Sequence, residues 1–199
     1  MFWRERRGNV LLWLSWAILA AFPLGPLHAQ ASASPKGVVD LNGKAVDPFH
    51  RSSGRVIVLL FVRTDCPISN RYAPTIQQIS GAYKGQAEFY LVYPVKGETT
   101  DQIRKHLKEY GYALTALRDR DYELVKRAET RVTPEAAVFS SDAKLLYHGR
   151  INDWYAEFGK SKRAPTTQEL MDAIAAATSG RRVTVASEPA IGCFLPDNP

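Results

Sequence analysis

The stretch Val56-Ile57-Val58-Leu59-Leu60-Phe61-Val62-Arg63-Thr64-Asp65-Cys66-Pro67-Ile68-Ser69 places one cysteine shortly after a long apolar run. The run over 56–62 is continuous and rich in β-branched residues, which predicts a strand buried on both faces of a sheet. Cys66 then lies where this strand ends and a helix begins. Helix N-terminal N–H groups and the helix dipole stabilise a thiolate, which is the reactive form of cysteine. Cys66 is therefore the first candidate for chemistry, and the alternative is a small buried apolar residue.

The residues around Cys66 resemble those of the thioredoxin/peroxiredoxin (AhpC/TSA-like) redoxins. Cys66-Pro67-Ile68-Ser69 is similar to the redox motif of that superfamily with serine as its last residue, a C-x-x-S motif. Pro74 lies eight residues after Cys66, where thioredoxins carry a helix-kinking proline. Val132-Thr133-Pro134 resembles the segment that presents a cis-proline loop opposite the reactive cysteine. The resemblance covers residues 38–177 and implies an α/β, thioredoxin-like fold, with a central mixed sheet flanked by helices on both faces.

Two departures from the family pattern narrow the chemistry that the resemblance implies. Peroxiredoxins place threonine or serine three residues before the peroxide-reacting cysteine, where this chain has Arg63, and Thr64 is one residue out of register. They also carry a proline seven residues before that cysteine, where this chain has Leu59. Thioredoxins resolve a mixed disulfide with the second cysteine of the motif, but Ser69 cannot attack sulfur. A dithiol cycle inside the motif is therefore excluded.

The beginning of the chain has the three regions of a secretory signal peptide. Arg4, Arg6 and Arg7 precede an apolar stretch over 10–24, and small residues follow over 29–33. The alternative is an uncleaved membrane anchor, but the apolar stretch is shorter than the roughly 20 residues needed to cross a bilayer. We expect a signal peptide over 1–31, export to the periplasm or the extracellular space, and no stable membrane insertion after cleavage.

The two cysteines of the chain are Cys66 and Cys193, and both follow the predicted cleavage region. An oxidising compartment either pairs two cysteines or uses them. Cys193 lies in a C-terminal tail over 181–199, which follows a redoxin domain predicted over 32–180. Ile191, Phe194 and Leu195 give this tail an apolar character that a disordered segment does not need. We therefore expect the tail to dock on the domain, so that the two thiols can meet.

Composition excludes several other classes of function. The formal net charge of +6 is spread along the chain, with small basic clusters only at 160–163 and 181–182, which is typical of a solvated surface. No nucleic-acid partner is expected. The chain lacks the Cys-x-x-Cys and His-x-x-x-His spacings of zinc sites, and no metal and no cofactor are predicted. His106 is expected to have satisfied hydrogen bonds and His148 to be an edge residue, while Arg150 and Asp153 suggest an Arg–carboxylate pair that fixes a loop.

Alternating periodicities predict the order of the elements. We expect a short strand at 37–41, followed by the buried strand. Further strands are expected at 87–93, 113–117, 136–139 and 145–149. Helices are expected at 68–83, from a start at 99–102, and at 122–129. Thr166-Thr167-Gln168-Glu169 has the pattern of a capping box and predicts the start of a last helix that ends at Gly180.

The first functional hypothesis is an exported thiol oxidoreductase. Cys66 attacks a disulfide or a peroxide, Cys193 resolves the intermediate, and an external thiol reductant or a protein disulfide is the partner. Pro134, if cis, would shape a groove beside the sulfur and leave a backbone edge for an extended substrate. Thr64, Asp65, Pro67 and Ser69 are the neighbours of the reactive thiol. Two alternatives remain open: a non-catalytic module with a structural Cys66–Cys193 disulfide, and a copper-delivery protein that binds Cu(I) through both cysteines and a histidine.

Overall fold

The computed structural model describes residues 37–50 and 54–196, together with Met1. The chain divides after Ala31 into two units, and the first of them lies outside the described residues apart from Met1. The predicted signal peptide therefore also lies outside them. Within 37–50 and 54–196 we find no helix that has both the length and the apolar character needed to cross a membrane.

A six-stranded mixed sheet forms the centre of the described unit. Its strand order is β1-β4-β3-β2-β6-β7, in which β2 pairs with β3 and β3 with β4 in parallel, while the other pairs are antiparallel. The strands are β1 (Val38–Asp40), β2 (Val56–Phe61), β3 (Ala87–Tyr93), β4 (Thr115–Asp119), β5 (Val132–Thr133), β6 (Glu135–Phe139), β7 (Leu145–Gly149), β8 (Tyr155–Glu157), β9 (Lys160–Ser161) and β10 (Cys193–Phe194).

Helices cover both faces of the sheet, as the sequence predicts. The helices are α1 (Pro67–Arg71), α2 (Ala73–Ala82), α3 (Thr100–Glu109), α4 (Glu123–Ala128) and α5 (Glu169–Thr178). Side chains of β2 alternate between two apolar clusters because successive residues of a strand point to opposite faces. Val58 and Leu60 pack in the cluster that contains α1, α2, α3 and α5 residues, whereas Leu59 and Phe61 pack with α4. All residues of β2 are buried, and this strand therefore anchors the segment that follows it.

The predicted helix over 68–83 is divided at Tyr72, which ends α1 and precedes α2. Pro74 lies in the first turn of α2, where its missing N–H is tolerated because that turn has no intrahelical partners. The helix that starts at Thr99 has the complete capping box with Gln102. The strand expected at 113–117 begins and ends two residues later, at 115–119.

The capping box predicted at the start of the last helix is wrong. Helix α5 begins at Glu169, after Gln168, and no side chain caps it. The backbone N–H of Thr166 instead donates to Asp153 Oδ1 at 2.6 Å, and the Thr166 hydroxyl donates to the other oxygen of the same carboxylate. A carboxylate accepts stronger hydrogen bonds than a neutral cap, so Asp153 holds Thr166 before the helix begins.

Candidate functional site

Cys66 lies at the N-cap of α1, directly after the loop that leaves β2. Its backbone is extended, with φ −90° and ψ 108°, and its side chain has no exposed surface. The Val62 N–H donates to Val92 O at 3.0 Å, which extends the pairing with β3 to the end of the apolar run. The core thus fixes this cysteine at the strand-to-helix junction where the sequence predicts it.

The C-terminal tail lies against the domain through Ile191 and Leu195, whereas Phe194, which we expected to dock as well, is exposed. Strand β10 pairs antiparallel with β5, with Cys193 opposite Thr133 and Phe194 opposite Val132. The Leu195 N–H donates to a backbone carbonyl of the domain at 3.0 Å, and the Leu195 side chain is buried. Residues 181–196 therefore belong to the same folded unit as the domain.

The two sulfur atoms lie in contact. The distance from Cys66 Sγ to Cys193 Sγ is 2.6 Å, and both thiols are free. A disulfide needs about 2.05 Å between its sulfurs, so a movement of about 0.5 Å would join them. Cys66 Sγ also lies 3.1 Å from the carbonyl oxygen of Thr133. Residues that are 127 positions apart in the chain thus form one pair of thiols.

The Thr133–Pro134 peptide bond is cis and lies beside Cys66, as the sequence predicts. The backbone edge next to it differs from the expectation, because the edge that we expected to be open for an extended substrate is already paired with β10. Gly192 allows this close approach. A Cβ atom at this position would lie 2.2 Å from Thr133 O, a distance that backbone atoms do not tolerate.

The pKa values of the two thiols are shifted in opposite directions. Burial opposes ionisation of Cys66, but the neighbouring Cys193 and the polar groups of Ser69 outweigh burial and lower the Cys66 pKa. The Ser69 hydroxyl itself is buried and has no hydrogen-bond partner. Burial raises the pKa of Cys193 to about 12, and the adjacent Cys66 sulfur adds to this effect. Cys66 is therefore the thiol of the pair that ionises more readily, and Cys193 is the one that holds its proton more strongly. Ser69, which replaces the second cysteine of the motif, supports the charge on the first.

The remaining motif neighbours lie at the surface. Pro67 and Asp65 are exposed. Arg63 Nε and one terminal nitrogen donate to the two oxygens of Asp65 at 3.0 and 2.9 Å, and its other terminal nitrogen donates to Phe194 O at 3.2 Å. Arg63 thus neutralises the carboxylate beside the reactive thiol and also holds the tail.

A chain of hydrogen bonds positions Thr64, and most of its members were missed by sequence reasoning. The Thr64 N–H donates to Glu98 Oε1 at 2.6 Å, and the Asn70 side-chain amide donates to Thr64 O at 3.2 Å. Asn70 Oδ1 therefore accepts from His106 Nε2 at 2.8 Å, which leaves His106 Nδ1 to accept from the Tyr93 hydroxyl at 2.8 Å. His106 has both ring nitrogens satisfied, in agreement with the role expected for it.

Glu98 is the carboxylate of this chain of hydrogen bonds, and it accepts directly from Thr64 in the Cys66 loop. It is only 6% exposed, and burial raises its pKa in spite of the hydrogen bonds from Thr64. A sequence signal for it exists, because the parallel strands β2 and β3 end at the same edge of the sheet. Polar residues that follow these two strands are therefore expected to meet.

The other candidate residues have structural partners. His148 lies 3.6 Å from Glu129 Oε2 and 3.7 Å from Glu135 Oε1, at a partly exposed position on β7. Arg150 forms its ion pair with Glu169 rather than with Asp153, so the pairing that the sequence suggested is wrong in its partner. Among residues 37–50 and 54–196, no group of three or more His, Cys, Asp and Glu side chains is arranged to hold a metal ion.

Solved structures with a similar chain path identify the fold. An uncharacterised conserved protein from Geobacillus kaustophilus superposes with a TM-score of 0.70 at 22% identity, over 81% of this chain and 88% of that one. A hypothetical protein from Sinorhizobium meliloti 1021 has a TM-score of 0.68 at 22% identity, over 79% and 87%. The exposed lipoprotein thioredoxin from Streptococcus pneumoniae strain TIGR4 has a TM-score of 0.51 at 20% identity, over 72% and 96%.

The fold is thioredoxin-like. This confirms the fold class that the C-x-x-S and Val-Thr-Pro motifs predict. No protein-family model matches the sequence, and no curated protein matches it either. At these identities the likeness concerns the thioredoxin-like fold alone, and the chemistry has to be argued from the two thiols.

Proposed function

We propose that this protein is an exported thiol–disulfide oxidoreductase in which Cys66 and Cys193 cycle between a dithiol and a disulfide. The observation that supports this most directly is the 2.6 Å contact between two sulfurs whose pKa values are shifted in opposite directions. A thiolate is the attacking species in exchange. The neighbouring thiol completes the disulfide once it has lost its own proton. Export rests on the sequence of residues 1–31, and it would place the pair in a compartment where disulfides persist.

The oxidative half of the cycle consists of two exchanges. The Cys66 thiolate attacks one sulfur of a partner disulfide, forms a mixed disulfide and releases one partner thiolate. Cys193 then loses its proton and attacks the Cys66 sulfur, which forms the Cys66–Cys193 bond and releases the second partner thiolate. The partner disulfide gains two electrons and the protein loses two. An external thiol reductant then returns the protein to the dithiol.

A disulfide is the substrate that the site favours over a peroxide. The position three residues before Cys66, where peroxiredoxins carry a hydroxyl, holds Arg63, and its guanidinium is paired with Asp65. The backbone N–H of Thr64 is directed to Glu98. These groups hold the loop in place, and they are not the hydroxyl that orients a peroxide in peroxiredoxins.

The second candidate function is a structural disulfide, and the docking of the tail favours it. A Cys66–Cys193 bond would fasten β10 to the domain and close a loop of 127 residues. In the chain-entropy model such a loop contributes about 4–5 kcal/mol to stability. The two candidates differ in the reduction potential of the bond, because structural disulfides are much harder to reduce than working ones.

The deciding experiment is the reduction potential of the Cys66–Cys193 pair in the full chain. The protein is equilibrated in glutathione and dithiothreitol redox buffers, quenched with acid, alkylated, and separated by mass. We expect a potential more oxidising than about −300 mV. A lower potential would identify a structural disulfide, and Cys193→Ser, which cannot form the bond, provides the baseline.

A further inference from the structure

The two cysteines of the pair differ in exposure. Cys66 has no exposed surface, because it lies between the start of α1, the carbonyl of Thr133 and the sulfur of Cys193. Cys193 is partly exposed on β10. In thioredoxin-type pairs built on one short motif, both sulfurs share a single loop. Here the two sulfurs come from segments that are 127 positions apart in the chain. One cysteine can therefore be more exposed than the other.

A groove of about 550 Å³ leads to Cys193. It is lined by Arg63, Val132, Phe158 and residues 190–194. Phe158 and Phe194 are 69% and 79% exposed, and both line this groove. Cys66 does not line it. A molecule that enters the groove therefore contacts Cys193 and does not contact Cys66.

The redox state decides whether Cys66 can be uncovered. In the dithiol, the tail is held near Cys66 by non-covalent contacts alone: the pairing of β10 with β5, the packing of Ile191 and Leu195, and hydrogen bonds with Arg63, Tyr122 and the Arg131 carbonyl. Such short segments open locally at a small cost in free energy. In the disulfide, a covalent bond fixes the tail over Cys66, and this route of access is closed.

We propose that the reductant attacks Cys193, not Cys66, so that the mixed disulfide of the reductive half-cycle forms on the tail. This inference rests on the proposed exchange function, and it assigns a direction to that exchange. The thiolate of an external thiol attacks Cys193 Sγ and forms a bond to it. The Cys66–Cys193 bond breaks, and its electron pair leaves with Cys66 as a thiolate. A second external thiolate then displaces Cys193 and forms the oxidised disulfide of the reductant.

The hydrogen bonds around Cys66 suit it to the role of leaving group. Exchange is faster when the departing sulfur has the lower pKa. Ser69 is left to stabilise the departing Cys66 thiolate, because Cys193 carries the reductant at this stage and has no proton to donate. Burial disfavours a thiolate on Cys193. Access and leaving-group ability thus select the same sulfur for attack.

The test is to locate the first adduct. The oxidised full chain is mixed with glutathione, samples are quenched with acid after increasing times, free thiols are blocked with N-ethylmaleimide, and the peptides that carry glutathione are identified by mass. We expect at least a tenfold excess of glutathione on Cys193 at the earliest times, with the maleimide on Cys66. The matched control is the oxidised chain unfolded in urea, in which burial no longer distinguishes the two sulfurs and the ratio is expected near one.

Each outcome separates the inference from the proposed function. Glutathione on Cys66, or equally on both cysteines of the folded chain, would overturn the inference and leave the exchange function standing. A folded chain that forms no adduct would overturn the inference as well. If its potential also lies below about −300 mV, the exchange function fails with it.

Discussion

The two halves of the thiol pair differ in how the fold holds them. Cys66 follows β2, which is buried on both faces and hydrogen-bonded to strands on both sides. Cys193 lies on a two-residue strand close to the end of the chain, paired only with β5. The comparison teaches that ionisation and access are separated in this molecule: Cys66 is the thiol that ionises more readily, and Cys193 is the cysteine that lines the surface groove.

The free energy of the tail contacts determines how much access to Cys66 can change while the domain stays folded. Burial of one leucine side chain such as Leu195 contributes about 1.5–3 kcal/mol, and a short strand pairing adds little beyond it. Strand β2, which precedes Cys66, cannot move without disrupting both apolar clusters. Changes in the tail are therefore expected to alter access to Cys66 with little effect on the domain.

The largest effect is expected for Gly192→Ala, which weakens the tail without removing a thiol. The added Cβ would meet Thr133 O at 2.2 Å, so β10 has to move away from β5. Such overpacking costs about 1–3 kcal/mol, which corresponds to a roughly 5- to 150-fold change in the opening equilibrium. In the Cys193→Ser background we expect the rate of Cys66 alkylation by iodoacetamide to rise by that factor.

The matched control for this change is Gly81→Ala, since a Cβ on Gly81 meets nothing within 4 Å. Its alkylation rate should equal that of the parent. An equal rate for Gly192→Ala and Gly81→Ala would show that the tail does not cover Cys66 in solution.

An effect of comparable size, on ionisation instead of access, is expected from the group that faces Cys66. The hydrogen bond from Cys193 lowers the pKa of Cys66, and serine can still donate one, whereas alanine cannot. A hydrogen bond to a charged group contributes about 1.5–3 kcal/mol, or one to two orders of magnitude in the ionisation equilibrium.

The measurement is the alkylation rate of Cys66 against pH in the two variants. The rate follows the thiolate, so the midpoint for Cys193→Ser should lie below the ordinary cysteine value of about 8.5, and the midpoint for Cys193→Ala should lie above that of Cys193→Ser. Coincident midpoints would contradict the hydrogen bond between the two thiols.

The smallest effect is expected for Ser69→Ala. This change removes the hydroxyl but keeps the backbone N–H, which also stabilises the Cys66 thiolate. The Ser69 hydroxyl affects the Cys66 pKa without a full hydrogen bond, so we expect its loss to contribute only about 0.5–1.5 kcal/mol. The pKa of Cys66 should rise, and the thiolate fraction at neutral pH should fall about two- to tenfold. Ser80→Ala, whose hydroxyl donates to Gln77 O within α2, is the control. If both variants titrate alike, Ser69 does not act on the thiolate.

Sequence patterns predict the features of this molecule that depend on residues close together in the chain. The apolar run before Cys66 predicts a strand buried on both faces, and Thr133–Pro134 is cis at the entry to the next long strand. The tail docks because Ile191 and Leu195 give it apolar surface to bury. In each case the deciding residues lie within a few positions of the feature that they determine.

Long-range contacts account for what sequence reasoning missed. Thr166 fails to cap α5 because Asp153, 13 residues earlier, binds it more strongly. Glu98 reaches Thr64 across 34 residues, since two parallel strands end at the same edge. The register of β10 on β5 also depends on the whole fold. Periodicity contains no information on such pairings, and it therefore could not reveal that the substrate edge is occupied.

The pairing of β10 with β5 has a consequence for solubility. Without the tail, the Arg131 carbonyl and the edge of β5 at Thr133 would lose their backbone partners beside a cis-proline turn. Exposed strand edges of this kind are templates for pairing with another chain. The tail therefore protects this strand edge from pairing with another chain. We expect proteolytic loss of residues 191–196 to leave this edge free to pair with another chain.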